Sequence, residues 1–389
     1  FIWCFYFFIR SMFSYDYSYS LKSSLFFFRF GFFSLLVLYL IKNEKNFIKN
    51  FTFFLIISLL LVSLDGIFQF LFGFNILGFT VTENSQAIGR ISGLFRDEYI
   101  MGSFLSRLLP LSIGLFIYNF YLFKNFNILL ILFITILNIA IFISGERSAF
   151  LYCILTNFVI IFCSYKYNLK FLISIILSSI IIFFIINNNE DIKYRYITYT
   201  KIQFSESEIN DETITEYKST SNNKFKFLFL FSHEHELMFA HSLNIFKNNL
   251  LFGVGPRMYK VECHNPKYRN NLEKWSLQTG PDIKTTKFKS GIWEPYDQIL
   301  LGCSSHPHNL YLHLLVETGL FGTLPLIIFL FFIVNSLRLV FFERIKKVNK
   351  DNILRLDIFI YLSILITIWP LVPTGSFFNN WLNVINFLN

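Results

Sequence analysis

Long apolar runs alternate with short polar connections along most of this chain. A membrane-spanning helix needs roughly 20 mostly apolar residues. On that basis we predict spanning helices at 25–41, 51–73, 101–123, 128–144, 149–164, 169–186, 310–336 and 356–373. The apolar stretches 1–9 and 377–389 look like pieces of two more. The alternating strand pattern of a membrane barrel is missing. The pattern therefore predicts an all-α membrane protein, a polytopic transmembrane helix bundle.

The apolar pattern is interrupted by one long polar segment, which divides the chain into three predicted regions. These are N-terminal transmembrane helices at 1–186, a large periplasmic loop at 187–307, and C-terminal transmembrane helices at 308–389. Within the loop, Ser205–Lys224 is polar and predicts a linker, and Glu236–Leu251 has the apolar spacing of an amphipathic helix. The chain begins with Phe and has no charged segment before its first apolar run. We therefore expect the first helix to be incomplete and to belong to a longer protein.

Composition supports a membrane protein and excludes other classes. Apolar residues make up 54% of the chain, charged residues only 15%, and the mean hydropathy is +0.51. A soluble domain carries about 25% charged residues. A soluble enzyme, a nucleic-acid binder and a disordered chain are therefore excluded as the main interpretation.

The net charge of +9 gives the predicted orientation. Four connections hold 12 Lys or Arg residues against three acids, and they lie at 42–50, 124–127, 165–170 and 337–355. Basic connections stay in the cytoplasm. The intervening loops are then external, and they lie at 74–100, 144–148, 187–307 and 374–380. The basic charge is an orientation signal and does not indicate nucleic acid as a partner.

Cysteine and histidine spacing gives no sign of a metal site. None of the five cysteines is in CxxC spacing, and three lie in or beside apolar runs. The sequence thus predicts neither a disulfide framework nor a zinc site. His233-Glu234-His235 does not form the HExxH motif. We expect no metal and no cofactor.

Four polar groups at the external ends of apolar helices are candidates for chemistry. Three carry arginine and one carries a histidine pair, and they are Gly89–Arg96, Ser144–Ser148, Gly253–Arg257 and His306–Asn309. An interfacial arginine often contacts lipid phosphate only, and a histidine often caps a helix. Together, however, guanidinium forks can bind a diphosphate and stabilise it as it leaves. A neutral histidine can deprotonate a sugar hydroxyl. The combination predicts glycosyl transfer from a polyprenyl diphosphate without a metal.

At these groups the sequence resembles the O-antigen ligase and O-antigen polymerase superfamily. The resemblance covers about residues 85–380, with four elements in the order of the family. They are GRISGLFRDEYIMGSFL (Gly89–Leu105), SGERSAFL (Ser144–Leu151), FKNNLLFGVGPRMY (Phe246–Tyr259) and HPHNLYLHLLVETGLFGTL (His306–Leu324). The family often has an arginine ahead of the third element, where this chain has His233-Glu234-His235.

The resemblance implies a glycosyltransferase of the GT-C type, inverting and metal-independent, that uses an undecaprenyl-diphosphate-linked glycan. Ligases pass the glycan to a lipid A core sugar at the periplasmic face of the bacterial inner membrane. Polymerases pass it to another lipid-linked repeat. The membrane lipid is the remaining partner.

The resemblance also implies a role for each matched residue. Arg147 and Arg257 would bind the diphosphate, and Arg90 would support them. His308 would be the base, with His306 in reserve.

Expectations for two further residues depend on position alone. Glu317 lies about 13 Å along a straight helix from His308, so we expect it to be structural and to face His313, four residues before it. Arg107, inside an apolar run, would line the lipid-diphosphate groove or pair structurally with an acid.

Ligase, polymerase and transporter are the functions left open. The His-Pro-His-Asn element directly before a spanning helix favours a ligase. A transporter or flippase would have inverted repeats and broken helices, and no repeat is found in the sequence.

Overall fold

The computed structural model describes most of the chain. The described residues are 1–81, 88–163, 167–204, 233–268, 277–278, 285–289, 292–296, 299–300, 303–346, 356–372 and 374–388. The predicted linker Ser205–Lys224 lies outside them.

Long apolar helices dominate this part of the chain. Six are long and apolar enough to cross a membrane, and they are Tyr17–Asn43, Phe47–Phe72, Met101–Phe120, Phe126–Ile143, Asn168–Asn188 and the Leu310–Val340 part of Leu310–Lys346. Shorter apolar helices are Ile2–Ser11, Arg147–Cys163 and Leu356–Thr367. The prediction of a polytopic helical membrane protein is confirmed, and the predicted spans match these helices with shifted ends.

The remaining elements are short. The amphipathic helix predicted at Glu236–Leu251 forms at His233–Asn248. The other short helices are Glu190–Lys193, Tyr199–Phe204, Tyr259–Glu262 and Asn380–Leu388. A π-helical turn covers Tyr194–Thr198, and 3₁₀ turns cover Gly93–Phe95 and Pro266–Tyr268. Two antiparallel ribbons pair Leu277–Gln278 with Ile299–Leu300 and Thr285–Lys289 with Ile292–Tyr296.

The chain divides into two compact units. The first contains Phe1–Arg29, Ile197–Pro325 and Pro373–Asn379, and the second contains Phe30–Tyr196, Leu326–Val372 and Asn380–Asn389.

The second unit is built around the helix Met101–Phe120. Of its most apolar window, 83% is buried, against 17% for Asn168–Asn188. The helix Leu356–Thr367 packs against it. A Cβ at Gly114 would lie 2.6 Å from the Cβ of Phe359, so glycine permits this close approach. The large apolar side chains that stay exposed on the outer helices suit contact with lipid.

The first unit has a small core of its own. Its buried residues are Ile245, Val254, Met258, Tyr259, Cys263, Tyr268 and Val316. They bring the Gly-Val-Gly element against the helix that begins at Leu310.

That helix forms the span predicted at 310–336, and it is interrupted at one residue. Gly319 has φ 66° and ψ −166°, a conformation outside the helical region and essentially restricted to glycine. The apolar run gives no sign of this interruption of the helix, because the interruption depends on a partner segment elsewhere in the chain.

A disulfide joins Cys263 to Cys303, with Cα atoms 5.7 Å apart and 40 residues of sequence separation. The expectation that the cysteines would form no disulfide is therefore wrong. Sequence spacing alone does not show which cysteines meet across such a separation. Cys4 and Cys153 are buried free thiols, as core cysteines are expected to be.

Candidate functional site

The predicted site residues fall in both units. Arg90 and Arg147 belong to the second unit. The first unit contains Arg257 and the residues predicted around the base, which are His306, His308, His313 and Glu317.

In the second unit, the first two sequence elements meet. The backbone N–H of Ile91 donates to the carbonyl of Ser144, with N···O at 3.4 Å. Gly145 has φ 70°, and a Cβ there would collide with the carbonyl oxygen of Gly89. The Ser144–Ser148 turn therefore packs backbone to backbone against the Gly89–Ile91 segment. Arg90 and Arg147 are presented from this pair of turns, and Arg147 begins its helix half-buried.

Glu146 is a buried acid whose carboxylate interacts with the charges of Arg90 and Arg107. Glu146 is 7% exposed and accepts hydrogen bonds from the Oγ of Ser103 at 2.6 Å and from its N–H at 3.1 Å. Burial raises the pKa of Glu146, while Ser103 and the charges of Arg90 and Arg107 act in the opposite direction. Arg107 is 1% exposed, and its guanidinium carbon lies 5.3 Å from the centre of the Tyr152 ring. The charge of Arg107 also interacts with the carboxylate of Glu146. Glu146 is therefore the acid with which this buried arginine is paired electrostatically.

Two arginine side chains near these turns, those of Arg90 and Arg195, donate hydrogen bonds to backbone carbonyls. Arg90 donates from Nη2 to the carbonyl of Tyr99 at 2.9 Å, and its guanidinium lies over that ring. The Nε of Arg90 is buried without a hydrogen-bond partner in the described residues. Arg195 donates to the carbonyl of Gly145 at 3.1 Å. Sequence reasoning missed Arg195, which has no motif around it and reaches the turn from the helical segment after Asn188.

In the first unit, the Gly-Val-Gly element fills the break in the helix. The N–H groups of Val254 and Gly255 each donate at 2.8 Å, to the carbonyls of Val316 and Glu317 respectively. Beyond the break, the N–H of Leu320 donates to the carbonyl of Leu250 at 2.9 Å. A backbone interruption at membrane depth must satisfy its polar groups within the protein. The segment 250–255 does this, and it fixes the element that carries Arg257.

Glu317 connects this element to the histidines. Its Oε2 accepts the N–H of Arg257 at 2.6 Å, and its Oε1 accepts the N–H of Tyr259 at 3.0 Å. The Nε2 of His313 lies 3.1 Å from Oε1. The Nδ1 of His313 accepts the N–H of Phe377 at 3.1 Å, so its proton is on Nε2 and is donated to Glu317. Both side chains are at most 2% exposed.

Arg257 itself has a left-handed backbone, with φ 60°. This conformation is uncommon for a residue with a side chain, and the hydrogen bond to Glu317 holds it. The guanidinium carbon lies 5.9 Å from the centre of the Tyr19 ring. His308 is also left-handed, with φ 51°, and its carbonyl accepts the N–H of Thr374 at 2.8 Å. Backbone strain of this kind is concentrated at functional sites.

The histidines form a cluster. The ring of His306 is 4.2 Å from that of His308 and 6.1 Å from that of His313, between centres. The ring of His235 is 5.7 Å from that of His308. Burial first, and then the neighbouring imidazoles, lower the pKa of His308 to about 4 and that of His306 to about 2. Both rings are therefore neutral at neutral pH and able to accept a proton.

Two features of the first unit escaped sequence reasoning. His235 joins the cluster from the helix His233–Asn248. The N-terminal helix contributes Arg10, which donates from Nε to the carbonyl of Phe252 at 2.8 Å and from Nη2 to that of Gly253 at 2.6 Å. An arginine that follows an apolar run gives no sequence signal of such a contact.

Comparison with protein families matches residues 129–327 of the chain to the O-antigen ligase family. The matched residues include Arg147, Arg257, His306 and His308, while Arg90 lies outside them. No curated protein and no solved structure matches the chain significantly. Because the family match spans 199 of the 389 residues, the chain belongs to the O-antigen ligase family and is a multi-pass membrane protein of lipid-linked glycan transfer.

Proposed function

We propose that this protein transfers an undecaprenyl-diphosphate-linked glycan to a lipid A core sugar at the periplasmic face of the bacterial inner membrane. The observation that carries the proposal is the arrangement within the first unit. There, a left-handed arginine is hydrogen-bonded through its backbone to Glu317, and Glu317 is bonded to His313 of the neutral histidine cluster. One buried carboxylate thus fixes the turn that carries Arg257 and orients His313, whose ring lies in the same cluster as that of His306.

The proposed reaction is a single displacement. His308 takes the proton of the acceptor hydroxyl, and the hydroxyl oxygen attacks the anomeric carbon of the donor sugar. The bond from that carbon to the diphosphate oxygen breaks, and the diphosphate leaves with the electron pair. Arg257 and Arg147 stabilise the charge that develops on it, with Arg90 in support. Attack opposite the leaving group inverts the anomeric configuration.

Two observations support the periplasmic orientation. The first is that four alternate connections between the helices hold 12 Lys or Arg residues against three acids, and basic connections stay in the cytoplasm. In addition, the disulfide between Cys263 and Cys303 lies in the segment predicted to be external, and disulfides persist in oxidising compartments such as the periplasm.

The proposed mechanism uses no metal ion, because guanidiniums supply the charge stabilisation that a divalent cation supplies elsewhere. Transfer by the purified protein in the presence of EDTA tests this directly. We expect full activity, and a loss that Mg²⁺ or Mn²⁺ restores would contradict the metal-free mechanism.

The acceptor is tested by complementation. The full-length gene is expressed in a strain that lacks its O-antigen ligase and, separately, in one that lacks its O-antigen polymerase. We expect the first strain to regain O-antigen on lipid A core and the second to show no change in chain length. The reverse result would assign polymerase activity instead, and the inactive Arg257→Ala variant serves as the control in both strains.

A further inference from the structure

The first unit contains a cavity of about 770 Å³ beside the Gly-Val-Gly element. Its walls come from the helix Ile2–Ser11, from Phe13 and from the segment 247–253. Its volume lies within the range of about 300–1,000 Å³ that is usual for ligand sites. Arg257, His306 and His308 do not line it, so it is separate from the site described above.

One part of the lining is apolar and exposed. Ile9 is 53% exposed, Phe13 is 77% exposed, and Leu250, Leu251 and Phe252 are between 49% and 52% exposed. A contiguous group of large exposed apolar side chains marks contact with a membrane or with an apolar ligand. This wall suits a hydrocarbon chain.

The other part of the lining is cationic. Arg10 and Lys247 both line the cavity, and none of the described residues that line it is acidic. Within the part of the chain that the structure describes, neither cation forms an ion pair with a carboxylate. The lining therefore matches an anionic group next to an apolar chain.

Arg10 also holds the neighbouring loop. Its Nε and Nη2 donate to the carbonyls of Phe252 and Gly253, two residues that come just before Val254-Gly255-Pro256-Arg257. A guanidinium has five N–H groups, so the two donated to the loop leave others that can reach an anion. A phosphate is well suited, because it accepts paired hydrogen bonds from such a fork.

We propose that this cavity binds an anionic glycerophospholipid of the surrounding membrane. The phosphate lies between Arg10 and Lys247, and an acyl chain lies along Ile9, Phe13 and Leu251. The bound phosphate restrains Arg10 and, through it, the carbonyls of Phe252 and Gly253 at the start of the Gly-Val-Gly element. The consequence for glycan transfer rests on the proposed function, whereas the binding itself does not.

Binding is tested on the purified full-length protein in neutral detergent, with no glycan donor present. The thermal unfolding midpoint is measured during titration with phosphatidylglycerol, phosphatidylcholine or inorganic phosphate. We expect a saturable rise with phosphatidylglycerol alone. An equal rise with phosphatidylcholine would overturn the role of the charge, and an equal rise with inorganic phosphate would overturn the lipid assignment.

Variants locate the site. A basic residue near a lipid surface contributes on the order of fivefold in affinity, so Lys247→Ala is expected to weaken phosphatidylglycerol binding by about that factor. The Arg10→Lys variant retains the positive charge but lacks the paired N–H donors of a guanidinium. It is therefore also expected to bind phosphatidylglycerol more weakly. Lys267→Ala, at an exposed lysine outside the cavity, is the matched control and should leave binding unchanged.

Two outcomes keep this proposal distinct from the proposed function. Arg257→Ala should bind phosphatidylglycerol as the unmodified protein does, since Arg257 does not line the cavity. Wild-type affinity in both Lys247→Ala and Arg10→Lys, or loss of binding in Arg257→Ala, would overturn the lipid site. Neither result depends on whether the protein transfers glycans.

Discussion

The carboxylate of Glu317 accepts the backbone N–H of Arg257 at 2.6 Å, across 60 residues of sequence. Among the described residues, this carboxylate is bonded to three groups, and all three are donors, namely the N–H of Arg257, the N–H of Tyr259 and the Nε2–H of His313. A carboxylate is the side-chain group that accepts from all of them without adding a donor of its own. Glu317 therefore sets both the left-handed turn at Arg257 and the orientation of His313.

Replacing Glu317 by Gln should impair this arrangement while keeping the side-chain shape. The amide NH₂ would face at least one backbone donor, and a buried unsatisfied donor costs about 1–3 kcal/mol. We expect glycan transfer to fall by on the order of tenfold or more, with a raised KM for the donor. Steady-state kinetics on protein of checked membrane insertion measures the effect.

The matched control is Glu190→Gln, at an acid whose side chain is 86% exposed and pairs with Lys193 at 3.7 Å. Surface pairs contribute about 0–1 kcal/mol, so this variant should behave as wild type. Unchanged donor KM and kcat in Glu317→Gln would show that the carboxylate does not position the turn.

Arg147 and Arg257 should each be required for transfer. Because the proposed role is to bind and stabilise a diphosphate, Ala at either position should abolish detectable transfer while the protein still inserts. Lys should restore only a part of the activity, since an ammonium lacks the paired donors of a guanidinium. Arg338→Ala, at an exposed arginine outside both groups, is the control. Normal transfer by both Ala variants would contradict the diphosphate role.

The sequence predicted the helices well, because the signal of an apolar run is local; the roles of the four candidate elements stay predictions. Lipid-length apolar runs locate the spans, and glycine-rich arginine turns between apolar helices indicate where polar groups gather. The contact between Gly89 and the Ser144–Gly145 turn and the proximity of Glu317 to His313 at i+4 agree with that local reasoning.

The remaining features depend on distant segments, which local patterns do not specify. The break at Gly319 exists because Leu250 and its neighbours supply the hydrogen bonds. The bond from Cys263 to Cys303 closes a 40-residue separation. Arg10 reaches carbonyls more than 240 residues away. The convergence of Arg147 with Arg257 and His308 around one diphosphate stays a prediction, because the two groups belong to different units.

The pH dependence of transfer should show a base that stays neutral in mild acid. The pKa of His308 is lowered to about 4 by burial and by the imidazoles of His235 and His313, with His306 also in contact. An ordinary histidine loses its neutral form below about pH 6.5. We therefore expect kcat to decrease on acidification only near pH 4 to 5, where His308 becomes protonated.

The variant His308→Ala tests whether His308 is the base whose protonation lowers kcat at acidic pH. General-base catalysis contributes about 10²- to 10⁴-fold, so turnover should fall in that range while donor binding is retained. His264→Ala, at a histidine of the predicted loop 187–307, is the control. Wild-type turnover in His308→Ala would move the base to His306, and an acidic limb near pH 6.5 would contradict the buried neutral cluster.

The disulfide should stabilise the first unit. It joins the segment after Arg257 to the segment before His306, and closing a 40-residue separation stabilises a fold by about 4 kcal/mol in the chain-entropy account. Dithiothreitol should therefore lower the thermal midpoint and the transfer rate of the wild-type protein. The double variant Cys263→Ser, Cys303→Ser should start at the lower values and should not respond to dithiothreitol. A wild-type protein insensitive to reduction would contradict a stabilising role.

Gly319 should tolerate no side chain, and a second glycine provides the comparison. Alanine at Gly319 would need φ 66° with ψ −166° and would place its Cβ against the backbone of Leu251 and Phe252. Gly78 also has a positive φ, 83°, but a Cβ there meets nothing within 4 Å. The Gly78→Ala variant should lose about 1 kcal/mol from backbone strain, whereas Gly319→Ala should lose at least about 2 kcal/mol and most of its transfer activity. Thermal unfolding and transfer assays on both variants measure the difference, and equal behaviour of the two would show that the close backbone approach at the break contributes nothing.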